Sequence, residues 1–246
     1  MTVLARSILM LLLALLVGLP GPAGAQGALP SFSAGDRLVL AIYYPWFDEN
    51  TWASGLTSDQ PLLPYASWEP EAIDRHVGWG RDAGIDAFVT AWFGPRDNNP
   101  TENNFRQMLD AGQAKGLRGA VLVETDSDAF FPDRAALVAG LRHALDVHAA
   151  HPAYLRVDGR PVMFVWSPRS VFAPGGGRVN ANGPAVAAAW ASILDEADPA
   201  RRALWIAEGE YPGVLDVFDG IFPYSIAWAA SPAGQLQSYA GRVRQY

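Results

Sequence analysis

Acidic side chains follow two apolar stretches of this chain, at positions where they are able to take part in proton transfer. Glu124 comes directly after the apolar residues 119–123, and Glu208 ends a second apolar run over residues 203–208, with Glu210 behind it. A carboxyl group at the end of an apolar strand is partly removed from water, and this raises its pKa. Two carboxyl groups in different environments are typical of paired general acid and base catalysis.

The spacing of Glu124, Asp126 and Asp128 also suggests a calcium loop. It lacks the glycine and the distal glutamate of an EF-hand loop, so a solvated polar loop is the favoured interpretation. His76, His143 and His148 fall on predicted helices and are interpreted as surface or hydrogen-bonded residues. No metal, nucleotide or other cofactor is predicted.

Aromatic residues stand where predicted strands open into loops. The chain has 9 Trp, 8 Tyr and 11 Phe, and Tyr43, Tyr44, Trp46 and Trp92 all occupy such positions. Flat aromatic faces stack on the C–H faces of sugar rings, although any single aromatic residue is more often part of a core. Neighbouring side chains on a strand point to opposite faces, so at most one of Tyr43 and Tyr44 faces a site.

Composition limits the possible partners. The 246 residues carry a formal net charge of −7 without a basic cluster, which argues against nucleic acid and anionic membranes as partners. The sequence contains no cysteine, so disulfides and thiolate metal sites are excluded. The length suits one large α/β domain, and no obligate protein partner is inferred.

The N-terminus has the pattern of a secretory signal. Residues 1–6 carry one positive charge, residues 8–19 are apolar, and Ala23-Gly24-Ala25 has the small-x-small pattern of a cleavage site. The apolar run is shorter than the roughly 20 residues that span a bilayer. Residues 1–25 are therefore predicted to be a signal peptide, leaving a secreted or periplasmic protein with no membrane attachment.

The rest of the chain alternates between strand and helix patterns. Predicted helices begin near Glu69, at Thr101 as N-cap, after Asp133, at residues 182–184 and at Pro232. A long loop is predicted over residues 45–67 and a glycine-rich loop over residues 174–183. Strands are predicted at residues 38–44, 85–92, 119–124, 161–166, 203–208 and 220–227.

Strands that alternate with helices at this spacing predict a parallel sheet. An open doubly wound sheet would place a glycine-rich phosphate loop after the first strand, but residues 43–47 contain no glycine. The favoured fold is therefore an α/β (β/α)8 barrel of the TIM type, with about six of its eight βα units present. Residues 26–246 are predicted to form this incomplete domain.

A series of short segments gives a more specific indication. In chain order they are Tyr43-Tyr44-Pro45-Trp46-Phe47, Pro61-Leu62-Leu63-Pro64-Tyr65, residues 76–79, 83–88 and 91–94, Val123-Glu124, residues 151–154 and residues 158–162. In these segments the chain resembles glycoside hydrolase family 99 and the related family 71, which are (β/α)8 barrels of the endo-α-mannosidase, endo-α-mannanase and α-1,3-glucanase type. The resemblance spans residues 39–228.

The resemblance implies a carbohydrate substrate and gives Glu124 the place of a glutamate that contacts it. The family's catalytic pair lies in a Glu-Trp-x-Glu element near the last strands, for which a 1,2-anhydro sugar mechanism is described. This sequence contains no such element, and Trp68-Glu69-Pro70-Glu71 belongs to the start of a helix. Glu124 and Glu208 are therefore the fallback catalytic pair. The residues predicted to bind substrate are Tyr43, Tyr44, Trp46, Trp92, Glu124, Trp166, Glu208 and Tyr224.

Three functions fit the sequence. The first is a secreted glycosidase acting on α-mannan or α-glucan, represented by a chain that is inactive by itself. The second is a non-catalytic carbohydrate-binding relative that keeps the aromatic surface. The third is a barrel enzyme of another class that uses Glu124 and Glu208 for a different proton transfer.

Overall fold

The computed structural model describes residues 29–96, 99–180, 183–209 and 211–244. The predicted signal peptide and its cleavage after Ala25 lie outside these ranges, as does Glu210. The helices of the described part are α1 Glu49–Ala53, α2 Pro70–Asp82, α3 Pro100–Lys115, α4 Arg134–His143, α5 Pro184–Ala197 and α6 Pro232–Val243. No helix within these ranges is long and apolar enough to cross a bilayer.

Six parallel strands form the main sheet, as the alternating pattern predicts. The order is β1 Leu40–Tyr43, β2 Ala87–Trp92, β3 Arg118–Glu124, β5 Arg160–Trp166, β8 Leu204–Glu208 and β9 Gly220–Phe222. A short strand, β4 Arg156–Val157, pairs antiparallel with β5. Asp158 and Gly159 join these two strands in a tight turn, at φ 49° and 77°.

The sheet is curled. The edge strands β1 and β9 would lie about 24 Å apart in a flat sheet of six strands. Nevertheless, the hydroxyl of Tyr44, directly after β1, contacts the hydroxyl of Tyr224, just beyond β9. The architecture is therefore an α/β half-barrel of six parallel strands.

The core lies between the sheet and the helices. Phe88 of β2 fills the space beside Gly80 of α2, and Gly119 of β3 faces Met108 and Leu109 of α3. The largest fully buried side chains are Trp92, Trp190, Trp205, Tyr154, Phe105 and Phe131.

The buried indole groups in this core are hydrogen-bonded. Trp190 Nε1 donates to the carbonyl of Pro168 at 2.8 Å, and Trp205 Nε1 donates to Asp198 Oδ2 at 3.1 Å. Burying these rings therefore leaves no indole N–H without an acceptor.

Helix ends follow local sequence signals, with one correction. Asp133 caps α4, as predicted, and Gly116 ends α3 at φ 87°. The N-cap of α3 is Asn99 and not Thr101, because the Asn99 side chain accepts from Thr101 N while Pro100 occupies the first helical position. Thr101 Oγ1 instead accepts from the backbone N–H of Phe93.

Three segments differ from the sequence prediction. The long loop contains the short helix α1, which Asp48 and Thr51 cap reciprocally. The glycine-rich loop is part of a hairpin in which β6 Ser170–Phe172 pairs with β7 Arg178–Asn180. The last strand ends at Phe222 and a 3₁₀ turn, Ser225–Trp228, follows it, so Tyr224 lies beyond the strand on which it was predicted.

Candidate functional site

The register of the sheet brings four side chains to one face of its C-terminal edge. Glu124 pairs with Trp166, and Glu208 pairs with Phe222. Val165 pairs with Ala207, which sets Trp166 level with Glu208. Residues that are level in neighbouring parallel strands point to the same face. We call Glu124, Trp166, Glu208 and Phe222 the mouth row.

The mouth row faces away from the helices. Gly119 of β3 is directed at α3, and the alternation of side chains along a strand turns Glu124, five residues later, to the opposite, concave face. All four members of the row are half-buried, so each side chain keeps a solvent-facing portion. This is the edge at which βα loops gather in parallel α/β proteins.

Glu124 is in an unusual electrostatic position. No residue in the described ranges donates a hydrogen bond to its carboxyl group or forms an ion pair with it, and burial raises its pKa to about 7. Desolvation penalises the ionised form and no partner compensates for it. Near neutral pH this group therefore exchanges a proton readily, as a general acid must.

Glu208 lies beside a cavity of about 380 Å³. The cavity is within the size range of small-molecule sites. Its walls come from the loops that follow β5 and β8 and from the start of α5. The residues around it are Pro168, Arg169, Gly183, Val186, Glu208, Gly209, Tyr211 and Val214.

Aromatic rings extend the concave surface from Trp166 of the mouth row to both edges of the sheet. Tyr44 packs on Trp46 at 4.8 Å between ring centroids, and Trp46 packs on Phe93 at 5.6 Å. Across the half-barrel, Tyr224 packs on Trp166 at 4.0 Å, and its hydroxyl meets that of Tyr44. We call these five residues the aromatic arc. Burial raises the pKa of Tyr224, so its hydroxyl stays neutral.

Two predicted site residues belong to the helix-facing side instead. Tyr43 stacks on Phe88 at 5.0 Å, and its hydroxyl hydrogen-bonds His76 Nδ1 at 3.0 Å. Trp92 is fully buried and donates from Nε1 to Glu102 at 2.7 Å. Neither side chain is available to stack on a ligand at the mouth.

Phe93 was missed as a member of the site, although a sequence signal for it existed. It follows Trp92, so strand alternation requires the two side chains to point to opposite faces. Once Trp92 faces the helices, Phe93 must face the concave side. Arg169 and Tyr211 lie in loops, where no periodic pattern indicates the direction of a side chain.

The acidic loop after β3 is solvated, as the sequence interpretation favours. Asp126 and Asp128 are exposed, and Asp128 forms an ion pair with Arg178 of β7 at 2.6 Å. This pair joins the loop to the β6–β7 hairpin. Arg178 also donates to the carbonyls of Thr125 and Phe131, so it holds the loop beside Glu124.

A curled parallel sheet with carboxyl and aromatic groups on its concave C-terminal edge defines an α/β half-barrel with a barrel-type site. Two structures of the GH99 endo-α-mannosidase from Bacteroides thetaiotaomicron are similar to the chain, each at 19% identity and a TM-score of 0.58. One alignment covers 77% of this chain and 59% of the enzyme, and the other covers 85% and 69%.

A glycoside hydrolase-like protein is also similar, at 12% identity and a TM-score of 0.54, over 80% of this chain and 61% of that protein. No family model matches the sequence, and no curated protein matches it either. At these identities the similarity establishes the fold, which is GH99-like.

Proposed function

We propose that this chain belongs to a glycoside hydrolase-like protein that acts on an α-linked polysaccharide or glycan, of the α-mannan or α-glucan class. The observation that carries the proposal is Glu124, a half-buried carboxyl group on the concave face whose pKa is raised to about 7. Strongly shifted carboxyl groups in clefts are candidates for acid catalysis. The GH99-like fold supports the same class of substrate.

In this proposal the two glutamates of the mouth row act from either side of Trp166. Glu124 protonates the leaving oxygen, and Glu208 is the fallback partner as base or nucleophile. They are two strands apart, which separates their Cα atoms by about 10 Å. The two catalytic carboxyl groups of glycosidases lie roughly 5–10 Å apart. Two glutamate side chains whose Cα atoms are about 10 Å apart can reach such a separation. The aromatic arc offers ring faces for the sugar.

The proposal includes closure of the barrel and export of the protein. Within the described ranges β1 and β9 each pair with one neighbour in the main sheet, so both outer edges are available to further parallel strands. Two further βα units would complete eight. We expect residues 26–246 alone to bind sugars weakly if at all and to release no product.

The signal pattern of residues 1–25 supports a secreted or periplasmic location.

The first prediction tests Glu124 in the complete protein. Glu124→Gln keeps the shape of the side chain and removes its proton, so it should lower kcat/KM on the cleaved α-glycan by about 10²–10⁴ fold. Reducing-sugar release measures the rate, and circular dichroism checks the fold. The matched control is Asp126→Asn, an exposed carboxylate two residues away, whose rate should stay within about two-fold. Equal turnover by Glu124→Gln and the wild type would refute the role of Glu124.

A second candidate is a non-catalytic carbohydrate-binding protein. The aromatic arc favours it, since stacking surfaces need no acid and base, and the sequence contains no Glu-Trp-x-Glu element. A complete protein that binds α-mannan or α-glucan without releasing product, and loses binding on Trp166→Ala, would favour this function. A third class, a barrel enzyme using Glu124 and Glu208 in another proton transfer, would show turnover on neither glycan.

A further inference from the structure

Three side chains converge on one point in the helix layer, away from the mouth row. Glu102 lies in the first turn of α3, His143 ends α4, and His148 ends the turn of π-helix Ala144–His148 that follows α4. His143 Nε2 lies 3.0 Å from Glu102 Oε1, and His148 Nε2 lies 2.9 Å from Glu102 Oε2. One ligand atom from each residue falls within 4.8 Å of the others.

The π-helical turn is what brings the two histidines together. Residues five apart on an α-helix point about 140° away from each other. The wider turn of Ala144–His148 reduces this angle, so that the two imidazole centroids are 5.0 Å apart. Single π-helical turns are rare in proteins, and many of those that occur lie at functional sites. An uncommon backbone feature therefore has the effect of aligning two nitrogen donors.

The carboxylate between the histidines is already oriented by a third group. Trp92 Nε1 donates to Glu102 Oε2 at 2.7 Å, from the end of β2. Hydrogen bonds of this kind fix the ligands of metal centres from outside the coordination sphere. Oε1 is thereby left as the oxygen able to bind an ion while Oε2 keeps the indole N–H.

We propose that Glu102, His143 and His148 form a binding site for one divalent transition metal ion of the zinc type. Two imidazoles and one carboxylate are a set that Zn²⁺ binds, at about 2.0–2.2 Å from each donor. Donors around a tetrahedral ion at this distance are about 3.3 Å apart. The contact between His143 Nε2 and Glu102 Oε1, at 3.0 Å, needs to open by only about 0.3 Å to admit it.

An ion is able to reach this site, and both imidazoles are able to take the protonation state that a metal ligand needs. The side chain of His148 is 1% exposed, but those of Glu102 and His143 are 14% and 27% exposed, so an ion enters from their side. Water completes the fourth position there. Each imidazole must present an unprotonated Nε2, which places its remaining proton on Nδ1 and releases the second proton of any imidazolium. The bound ion would join α3 to the end of α4.

The test is a titration of chelator-treated protein with Zn²⁺, followed by calorimetry and thermal unfolding. One ion per chain should bind, with a rise in Tm because the ion binds the folded state. His143→Ala should weaken binding at least about 100-fold, since it removes a direct ligand. His143 is preferred for substitution because it is partly exposed, and Glu102→Gln is the second variant.

The control is His151→Ala, which removes another histidine paired with a carboxylate, Asp110, at 3.2 Å. This variant should bind Zn²⁺ as the wild type does. Co²⁺ should give the intense visible absorption of a tetrahedral site. Equal affinity of the wild type and His143→Ala, loss of binding in His151→Ala alone, or an octahedral Co²⁺ spectrum would each overturn the proposal, as would absence of any binding.

Discussion

Glu102 and Glu124 show how the surroundings of a carboxyl group set its chemistry. Burial by itself would raise the pKa of Glu102, but hydrogen bonds from His148, Trp92 and His143 lower it to about 2. Glu124 is buried without such donors, and its pKa rises to about 7. The first is therefore an ion at every physiological pH, and the second is a proton donor near neutrality.

The raised pKa of Glu124 makes a prediction about stability. Below about pH 4.5 the carboxyl is protonated in both the folded and unfolded states and costs nothing. As pH rises from about 4.5 to about 7, the unfolded chain loses this proton first, so folding becomes less favourable. Above about pH 7 the folded protein holds a desolvated charge, at a cost on the order of 3 kcal/mol.

Glu124→Gln removes this cost. Its Tm should equal that of the wild type near pH 4.5 and exceed it at pH 8, as measured by calorimetry at both values. The exposed Asp126→Asn serves as the control, with no difference expected at either pH. A lower Tm of Glu124→Gln at pH 8 would show that the ionised carboxyl is stabilised, and would contradict the assigned environment.

At the scale of elements, the backbone at the end of α3 approaches the backbone before β3 very closely. The end of α3 turns into β3 so tightly that a Cβ on Gly112 would lie 2.5 Å from the carbonyl oxygen of Leu117. Both Gly116 N and Leu117 N donate to the carbonyl of Gly112. The backbone itself occupies the space that a side chain would need.

Gly112→Ala should therefore destabilise the protein by roughly 1–3 kcal/mol, because the clash is with backbone and cannot be relieved by a rotamer change. The matched variant is Gly78→Ala in α2, where the added Cβ meets only Lys115 Nζ at 3.8 Å. It should be neutral or stabilising by up to about 1 kcal/mol through helix propensity. Urea unfolding of both variants gives the comparison, and equal effects would refute the packing argument.

At the scale of the whole molecule, the described sheet has two open edges and a partly exposed concave face. On the edge strand β1, Leu40 is 38% exposed and Ile42 is 37% exposed, whereas all residues of its neighbour β2 are buried. Both side chains lie on the same face as Tyr44 by strand alternation. Exposed apolar side chains on an unpaired parallel edge favour association.

Residues 26–246 expressed alone should consequently self-associate or bind a hydrophobic dye. Sedimentation velocity over a range of concentrations measures the first property, and dye fluorescence the second. Ile42→Lys places a charge on the exposed edge and should reduce both, while Arg106→Lys on α3 should change neither. A compact monomer at high concentration without dye binding would show that this face needs no cover.

The sequence by itself determined the order of the six parallel strands and the residues at which β3, β5 and β8 end. Apolar runs that end in Glu124, Trp166 and Glu208 predict these strands, because the signals that define a strand lie within a few residues along the chain. The strand pleat also required Tyr43 and Tyr44 to face opposite sides. The segments resembling family 99 agree with the observed GH99-like fold.

Only the tertiary structure decided which aromatic rings face the concave side and which residues share a site. Trp92 and Phe93 are equally aromatic, and burial of the Trp92 indole against Glu102 sends Phe93 to the mouth. The curl of the sheet brings Tyr44 to Tyr224, and it arises from contacts between residues far apart in sequence. The π-helical turn aligns His143 with His148, and it arises from one extra residue in a helical turn. The periodicity of the sequence predicts neither the curl nor the π-helical turn, because periodicity reflects neighbours along the chain and not tertiary contacts.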